Sequence, residues 1–397
     1  FNCHAQFDCH KNAKCIMHSR LNRYMCRCKD GYIGDGYNCT LKNSCRYSRK
    51  LCAHDAICVY NDHFKEEMCI CKAGYIGDGL RCYTLSKCDS ECSLMFTQSK
   101  YLINIELTDE RHLTPKVSYI GGMALDITHN CKNNMIYLSD PISRSIKRCF
   151  SNGRHCVTII HDLPQPEGLV VDWISQLLFW TDSKLKAIGV STLDGQKRKI
   201  LIQNNIENPR SLAVNVDEGH IFWTDLDKEN PRIEKANMDG SERTVFVCKD
   251  MYRPADLTFH YRSNELCWID SIKGSVECIH TNGYNRRVVY QNSNAKLFSL
   301  STGLLHVYAT DWKSKTILKI PLFENSSLEY IHPPGSGRIF GLTTATTKCP
   351  TELRNACSQR KNNCPDILMC VPNKGTQMGR VCLCPDNSKA CVINGKF

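Results

Sequence analysis

A six-residue pattern returns at a nearly fixed interval through residues 94–348, and it limits the possible folds more than any other feature of the chain. The clearest copies are Leu177-Leu178-Phe179-Trp180-Thr181-Asp182 and His220-Ile221-Phe222-Trp223-Thr224-Asp225, with weaker copies ending at Asp140, Asp270 and Asp311. Successive aspartates lie 42, 43, 45 and 41 residues apart, within the roughly 40–45 residues of one four-stranded propeller blade. A strand-like apolar run precedes each copy, and three are followed by Asp194-Gly195, Asp239-Gly240 or Asn282-Gly283. Such dipeptides between apolar runs mark tight hairpins, because both central residues must accept positive φ. Each unit therefore reads as strand, strand, turn, strand.

A degraded sixth copy opens the region at Leu94-Met95-Phe96-Thr97-Gln98 and continues to Ile105, with a turn near Thr108-Asp109. At the other end Ile339-Phe340-Gly341-Leu342-Thr343 matches only the first half of a unit. Joining the halves gives one blade whose inner strand comes from the C-terminal end and whose outer strands come from the N-terminal end. That closes the ring with few free edges. The expectation is an all-β, six-bladed β-propeller over residues 94–348.

Twenty-seven cysteines among 397 residues point to an oxidising compartment. No run of about 18 or more apolar residues is present, so no membrane span is expected in this stretch. The chain opens on Phe1-Asn2-Cys3 without a signal peptide, and the expectation is a fragment of a longer secreted or ectodomain chain. A net charge of +11 fits nucleic acid poorly in such a compartment. The plain reading is scattered cations on a solvated surface. The sharper one is heparan-type polysaccharide binding through Lys197-Arg198-Lys199 or Arg286-Arg287, on outer strands. No Gly-Xaa-Ser-Xaa-Gly elbow appears and the histidines do not cluster, so neither an enzyme nor a cofactor is expected.

Residues 3–39 carry Cys3, Cys9, Cys15, Cys26, Cys28 and Cys39, and residues 45–82 repeat the spacing with Cys45, Cys52, Cys58, Cys69, Cys71 and Cys82. Both end in the same phrase, Gly31-Tyr32-Ile33-Gly34-Asp35-Gly36 and Gly74-Tyr75-Ile76-Gly77-Asp78-Gly79. Modules this small need covalent staples, and six cysteines allow fifteen pairings that spacing alone does not separate. The Cys-Xaa-Cys gaps are shorter than structural zinc favours, which points to disulfides and no metal. Cys357, Cys364, Cys370, Cys382, Cys384 and Cys391 form a third module. Its short link to Cys349 suggests packing against the propeller. The domain reading is 1–41 and 42–83 as two modules, 84–93 as linker, 94–348 as propeller and 349–397 as the third module.

Within the propeller, Cys149 and Cys156 flank the turn Ser151-Asn152-Gly153, and Cys267 and Cys278 flank Ser271-Ile272-Lys273-Gly274. Each pair can face across adjacent strands at bridging distance. Cys131 with Cys349 would lock the first blade to the exit strand. Cys248 is left over and is read as a buried free thiol in preference to an intermolecular partner. Cys88 and Cys92 are read as a mutual loop or as partners of cysteines elsewhere. Two glycosylation sequons occur, at Asn38 and Asn325; the second is the better acceptor because Cys39 occupies the middle of the first.

The phased Phe-Trp-Thr-Asp units resemble the six-bladed YWTD propellers of the low-density-lipoprotein-receptor class, and the cysteine modules resemble epidermal-growth-factor-like (EGF-like) modules. The second resemblance implies the pairs Cys3–Cys15, Cys9–Cys26, Cys28–Cys39, Cys45–Cys58, Cys52–Cys69 and Cys71–Cys82. For the third module it implies Cys357–Cys370, Cys364–Cys382 and Cys384–Cys391. Calcium-binding modules of this kind carry acids before the first cysteine. Phe1-Asn2, Lys42-Asn43-Ser44, Met17 and Tyr60 lack that cluster, so no calcium is expected.

Further details are similar to the nidogen (entactin) family of basement-membrane linkers. They are Glu265-Leu266-Cys267-Trp268-Ile269-Asp270 with Cys278, then Tyr308-Ala309-Thr310-Asp311-Trp312-Lys313, and the exit Phe340-Gly341-Leu342-Thr343-Thr344-Ala345 followed by Cys349-Pro350. That resemblance implies a secreted basement-membrane adaptor binding a module of the laminin γ short arm; heparan-type polysaccharide, read from the basic tracts, or collagen would be a further partner. The alternative is an ectodomain fragment of a low-density-lipoprotein-receptor-family endocytic or signalling receptor.

Independently of any family, inner-strand openings crowd onto one ring face, where loops form a shallow recess. The residues opening those strands are Glu167, Arg210, Ala255, Phe298 and Phe340, and Trp312 should join them. In this reading Arg210 meets a partner carboxylate, Trp312 and Phe298 wall an apolar pocket, and Phe340 covers the axis. Repetition marks Asp182 and Asp225 as scaffold, and Trp180, Trp223 and Trp268 as blade core.

Overall fold

The computed structural model describes residues 9–18, 23–29, 31–34, 37, 39–41, 45, 52–61, 66–72, 75–77, 79 and 82–84 in its N-terminal unit. In its C-terminal unit it describes residues 93–107, 115–323, 327–335, 337–346, 348–350, 353–358, 364–386 and 388. Cys3, Asn38, Cys88, Cys92, Asn325 and Cys391 lie outside the described residues, as does most of the stretch read as linker.

Six four-stranded antiparallel sheets make the C-terminal unit. Blade 2 runs Asp126–Asn130, Met135–Asp140, Ser145–Phe150 and Val157–Ile160 from the axis outward. Blade 3 is Pro166–Asp172, Leu177–Asp182, Ala187–Thr192 and Arg198–Ile202, and blade 4 is Pro209–Asn215, His220–Asp225, Arg232–Asn237 and Thr244–Val247. Blade 5 is Pro254–His260, Glu265–Asp270, Ser275–His280 and Arg287–Gln291, and blade 6 is Leu297–Thr302, His306–Asp311, Thr316–Pro321 and Glu329–Ile331. Blade 1 takes its outer strands Ser93–Gln98, Tyr101–Glu106 and Lys116–Tyr119 from the start of the unit and its inner strand, Ile339–Ala345, from the end. The inner strands touch in the order 2, 3, 4, 5, 6, 1 and back to 2, so the ring is closed.

The second strand of each blade is sandwiched between two neighbouring sheets, which explains its composition. In Leu177–Asp182 and Glu265–Asp270 every residue is buried. The sequence accordingly shows continuous apolar runs where a strand with one wet face would alternate. Trp180, Trp223 and Trp268 fill the spaces between sheets. Space around them is tight: a Cβ on Gly189 would lie 2.3 Å from the Trp180 ring.

Three bridges staple the propeller. Cys267 and Cys278 are registered directly opposite each other, with Cα atoms 4.0 Å apart. Cys149–Cys156 spans its hairpin at 4.1 Å, and Cys131–Cys349 ties blade 2 to the segment leaving blade 1 at 5.1 Å. Cys248 corrects the sequence reading: it is free but exposed. It follows Val247, the last residue of an outer strand, and so sits on a connector at the solvent-facing rim.

The C-terminal module carries Cys357–Cys370 and Cys364–Cys382. It packs on blades 3 and 4 through Leu353, Met369 and Val371, which share an apolar cluster with Ile174, Val216 and Met238. Asn355 Nδ2 donates to the Val216 carbonyl at 2.9 Å, and Asn373 Nδ2 to Asp239 at 2.7 Å. In the N-terminal unit the bonded pairs are Cys9–Cys26, Cys28–Cys39, Cys45–Cys58, Cys52–Cys69 and Cys71–Cys82. Gly79, the last residue of the repeated phrase, has φ +79°, and a Cβ there would lie 2.1 Å from the Cys69 carbonyl. Only glycine fits such a crossing.

Candidate protein-binding mouth and axial channel

The motif residues build the site from behind. Each aspartate accepts backbone N–H groups. Asp182 takes Gln165 and Leu185 at 3.1 and 2.8 Å, Asp225 takes Asn208 at 2.7 Å, and Asp270 takes Tyr252 at 2.7 Å. Asp311 takes Lys296 at 2.7 Å. Gln165, Asn208, Tyr252 and Lys296 precede the inner strands of blades 3 to 6, so these four aspartates fix the points where those strands open. Leu185 lies in the turn after its own motif, as do the Ile142 and Ser143 donors to Asp140. The hydroxyl beside them reaches across the ring. Thr181 Oγ1 accepts from Gly168 N in its own blade at 2.9 Å and donates to the Arg210 carbonyl of the next. Ser139 donates to the Glu167 carbonyl at 2.5 Å, and Thr97 to the Ala124 carbonyl at 2.9 Å. A motif read as scaffold therefore sets the backbone of the mouth residues one blade on.

The mouth gathers most of the expected residues. Glu167, Arg210, Ala255 and Phe298 line one narrow recess of about 20 Å³ together with Leu125, Asp126 and Asp256. That volume is about the space of a single water, so the recess itself takes only the tip of one side chain. Arg210 stacks its guanidinium 4.6 Å above the Phe298 ring. Phe298 lies parallel to Trp312 at 4.1 Å, and Phe340 meets both edge-on at 5.9 and 5.6 Å. The Trp312 indole N–H donates to the Ile339 carbonyl, and Arg338 covers the outer side of that ring at 5.0 Å. Glu167 accepts from Ser183 Oγ at 2.6 Å and Gln165 Nε2 at 3.1 Å, which holds its carboxylate at the rim. Ala255 differs from the expectation: it belongs to the wall but is only 4% exposed, which leaves little of it for a partner.

Leu125 and Arg338 were missed by sequence reasoning. Leu125 stands where Glu167, Arg210, Ala255, Phe298 and Phe340 stand in the other blades. Aligning Leu125-Asp126-Ile127 with Arg210-Ser211-Leu212 would have found it. The same alignment exposes a deeper ring: Asp126, Gly168, Ser211, Asp256, Ser299 and Gly341 each precede the aliphatic residue registered against the tryptophan position. Asp126 and Asp256 fall on blades 2 and 5, opposite each other across the axis. Loss of hydration, followed by the charge of Asp256, pushes the Asp126 carboxyl up to about 8. Loss of hydration likewise raises Asp256.

The basic tracts are occupied internally. Arg286 binds the buried Glu277 at 2.7 Å and lies 5.2 Å over Trp268, while Arg287 forks onto Glu265. Lys199 pairs with Asp386 of the C-terminal module at 2.8 Å, and Lys197 donates to the Leu368 carbonyl at 3.3 Å. Lys197, Lys199, Arg286 and Arg287 thus have internal partners, while Arg198 is exposed.

Residues 176–214 and 219–261 match the low-density lipoprotein receptor repeat class B family, and residues 3–39 match the EGF domain family. The chain is 29% identical over 281 residues to nidogen of Drosophila melanogaster, which covers 69% of this chain and 20% of that protein. A chain of the solved crystal structure of a nidogen/laminin complex aligns over its whole length with 65% of this chain, at 28% identity and a TM-score of 0.61. A virginiamycin B lyase from Staphylococcus aureus aligns with 60% of the chain and 78% of its own length at 15% identity, with a TM-score of 0.46; no functional comparison rests on it. Blades, repeats and cystine modules thus define a six-bladed β-propeller with low-density-lipoprotein-receptor class B repeats, carrying EGF-like modules. Within that class the chain is similar to nidogen. It spans about a fifth of the length of that relative.

Proposed function

We propose that the chain is part of a basement-membrane adaptor whose propeller mouth binds a module of the laminin γ short arm. The observation that carries this reading is the end-to-end match to a chain of the nidogen/laminin complex. The mouth supplies the fitting chemistry. Arg210 is preoriented on Phe298 for a carboxylate at a loop tip, and Phe298, Trp312 and Phe340 offer a rigid aromatic wall, with Arg and aromatic groups the commonest interface anchors. Heparan-type and collagen partners gain no support, since most of the cations assigned to the first are paired.

The receptor-ectodomain alternative is not favoured, because the similarity is to nidogen and to a chain of a nidogen/laminin complex. Surface plasmon resonance against a laminin γ short-arm fragment tests the proposal. Arg210→Ala should weaken binding by roughly tenfold or more, as truncating a hot-spot arginine does. Absence of binding by the unmodified chain, or full affinity in the variant, would refute it.

A further inference from the structure

Behind the mouth the axis opens into a second space, a cavity of about 200 Å³ that shares Asp126, Ser211 and Asp256 with the recess. These residues form a waist between the two. On the far side the walls carry the Thr302 and Thr344 hydroxyls, then the rings of Trp173, Phe259 and Tyr261 at the opposite opening beside Pro350. Trp173 and Tyr261 meet edge-on at 6.4 Å. No lysine or arginine lines this cavity, although the chain carries a net charge of +11. Two carboxyl groups therefore sit at the inner end of a chamber whose wall mixes hydroxyls with apolar and aromatic groups. Among the described residues neither forms an ion pair, and the Arg210 charge acts on both from the mouth side.

The acceptor geometry narrows the ligand. Asp126 accepts from Ile127 N and Leu169 N, both at 2.8 Å, so about half of its lone-pair capacity is free. Asp256 is more fully engaged, by Ser211, Leu257 N at 2.9 Å and Leu300 N at 2.6 Å, with Ser299 as a further donor. A calcium ion needs six to eight oxygen ligands, more than this waist has left. An ammonium group needs only acceptors for its three N–H bonds and a counter-charge. An alkyl chain behind it would lie along the hydroxyl-lined wall towards Trp173 and Tyr261.

We propose that the axial cavity binds a primary ammonium group on a short apolar chain, with the nitrogen at Asp126 and Asp256. The ligand chemistry is shared by a free alkylamine and by a lysine side chain. The nitrogen sits at the waist that the cavity shares with the mouth recess and the chain lies beyond it; the proposal does not depend on the laminin reading.

Calorimetric titration of the whole chain with n-pentylamine, with Nα-acetyl-lysine methylamide and with calcium chloride tests it. Saturable binding of pentylamine alone assigns a free amine, and binding of both organic ligands admits a lysine side chain. Binding of neither, or of calcium in their place, overturns the proposal. In Asp126→Asn the affinity should fall roughly tenfold or more, as loss of one partner of a desolvated charge pair does; unchanged affinity overturns it. Should that variant fail to fold, the unmodified protein still decides. Near neutral pH the ammonium displaces the proton held by the acid pair, so heats measured in buffers of different ionisation enthalpy must reveal proton release, and its absence contradicts the site.

Discussion

Thr181 donates its hydroxyl hydrogen to the carbonyl oxygen of Arg210, 29 positions along the chain and one blade away. The residue proposed to meet the partner is thus held by the motif of the preceding blade. Thr181→Val keeps the shape of the side chain but leaves the Gly168 N–H and the Arg210 carbonyl without that hydroxyl. It should cost about 1–3 kcal/mol, the range for orphaned buried groups, and weaken laminin binding with Arg210 still in place. Thr181→Ser should restore both, read from melting and surface plasmon resonance.

Ring closure gives a second prediction. The Cys131–Cys349 bridge spans 218 residues, and a loop that long should stabilise by about 5 kcal/mol in the chain-entropy picture. The double variant Cys131→Ser/Cys349→Ser should lose about 3–5 kcal/mol in denaturant unfolding. Removing Cys149–Cys156, which closes a loop of separation 7, should lose clearly less. Equal losses would mean that the long bridge does not act by holding the ring shut.

The axial acids predict an unusual pH dependence. A folded carboxyl raised to about 8 keeps its proton while the unfolded chain has released it. Stability from that group is full below the unfolded value and is lost as pH rises towards 8. His220 and His260, both lowered to about 4 by burial, act oppositely, costing stability as pH falls below their ordinary 6.5. Above about 6.5 the acids dominate, and melting temperature should fall up to pH 8, with a slope of at most about 1.4 kcal/mol per pH unit for one proton. Asp126→Asn should flatten that limb.

The paired arginines yield a prediction that separates stability from polysaccharide binding. Arg286→Ala removes one of the two cations paired with the buried Glu277, itself 2% exposed, and leaves Lys273 at 3.1 Å; it should cost about 1–3 kcal/mol. Elution from a heparin column should barely move. A large shift in elution with unchanged melting would restore the tract as a surface site.

Much of the fold was legible because it repeats. Five phased aspartates exposed the blades, and half-units at Leu94 and Ile339 exposed the closure, since both signals lie in local strand and turn chemistry. The mouth was legible in part for the same reason. Glu167, Arg210 and Phe298 could be placed by their position in the unit, whereas Leu125 lies just ahead of its blade's first strand, Asp126–Asn130. Pairing across the ring was hidden. Nothing local says that Asp126 and Asp256 face each other, or that Glu277 takes up Arg286. Cys248 was misjudged because burial at a strand end depends on where the connector turns, which composition does not encode.

Hydrogen exchange on the chain alone and bound to a laminin γ short-arm fragment tests the central claim most directly. The account predicts protection confined to the inner-strand openings around residues 125, 167, 210, 298 and 340 and to Trp312. Protection at the Trp173 and Tyr261 opening, or along the outer strands with the mouth unchanged, would contradict it.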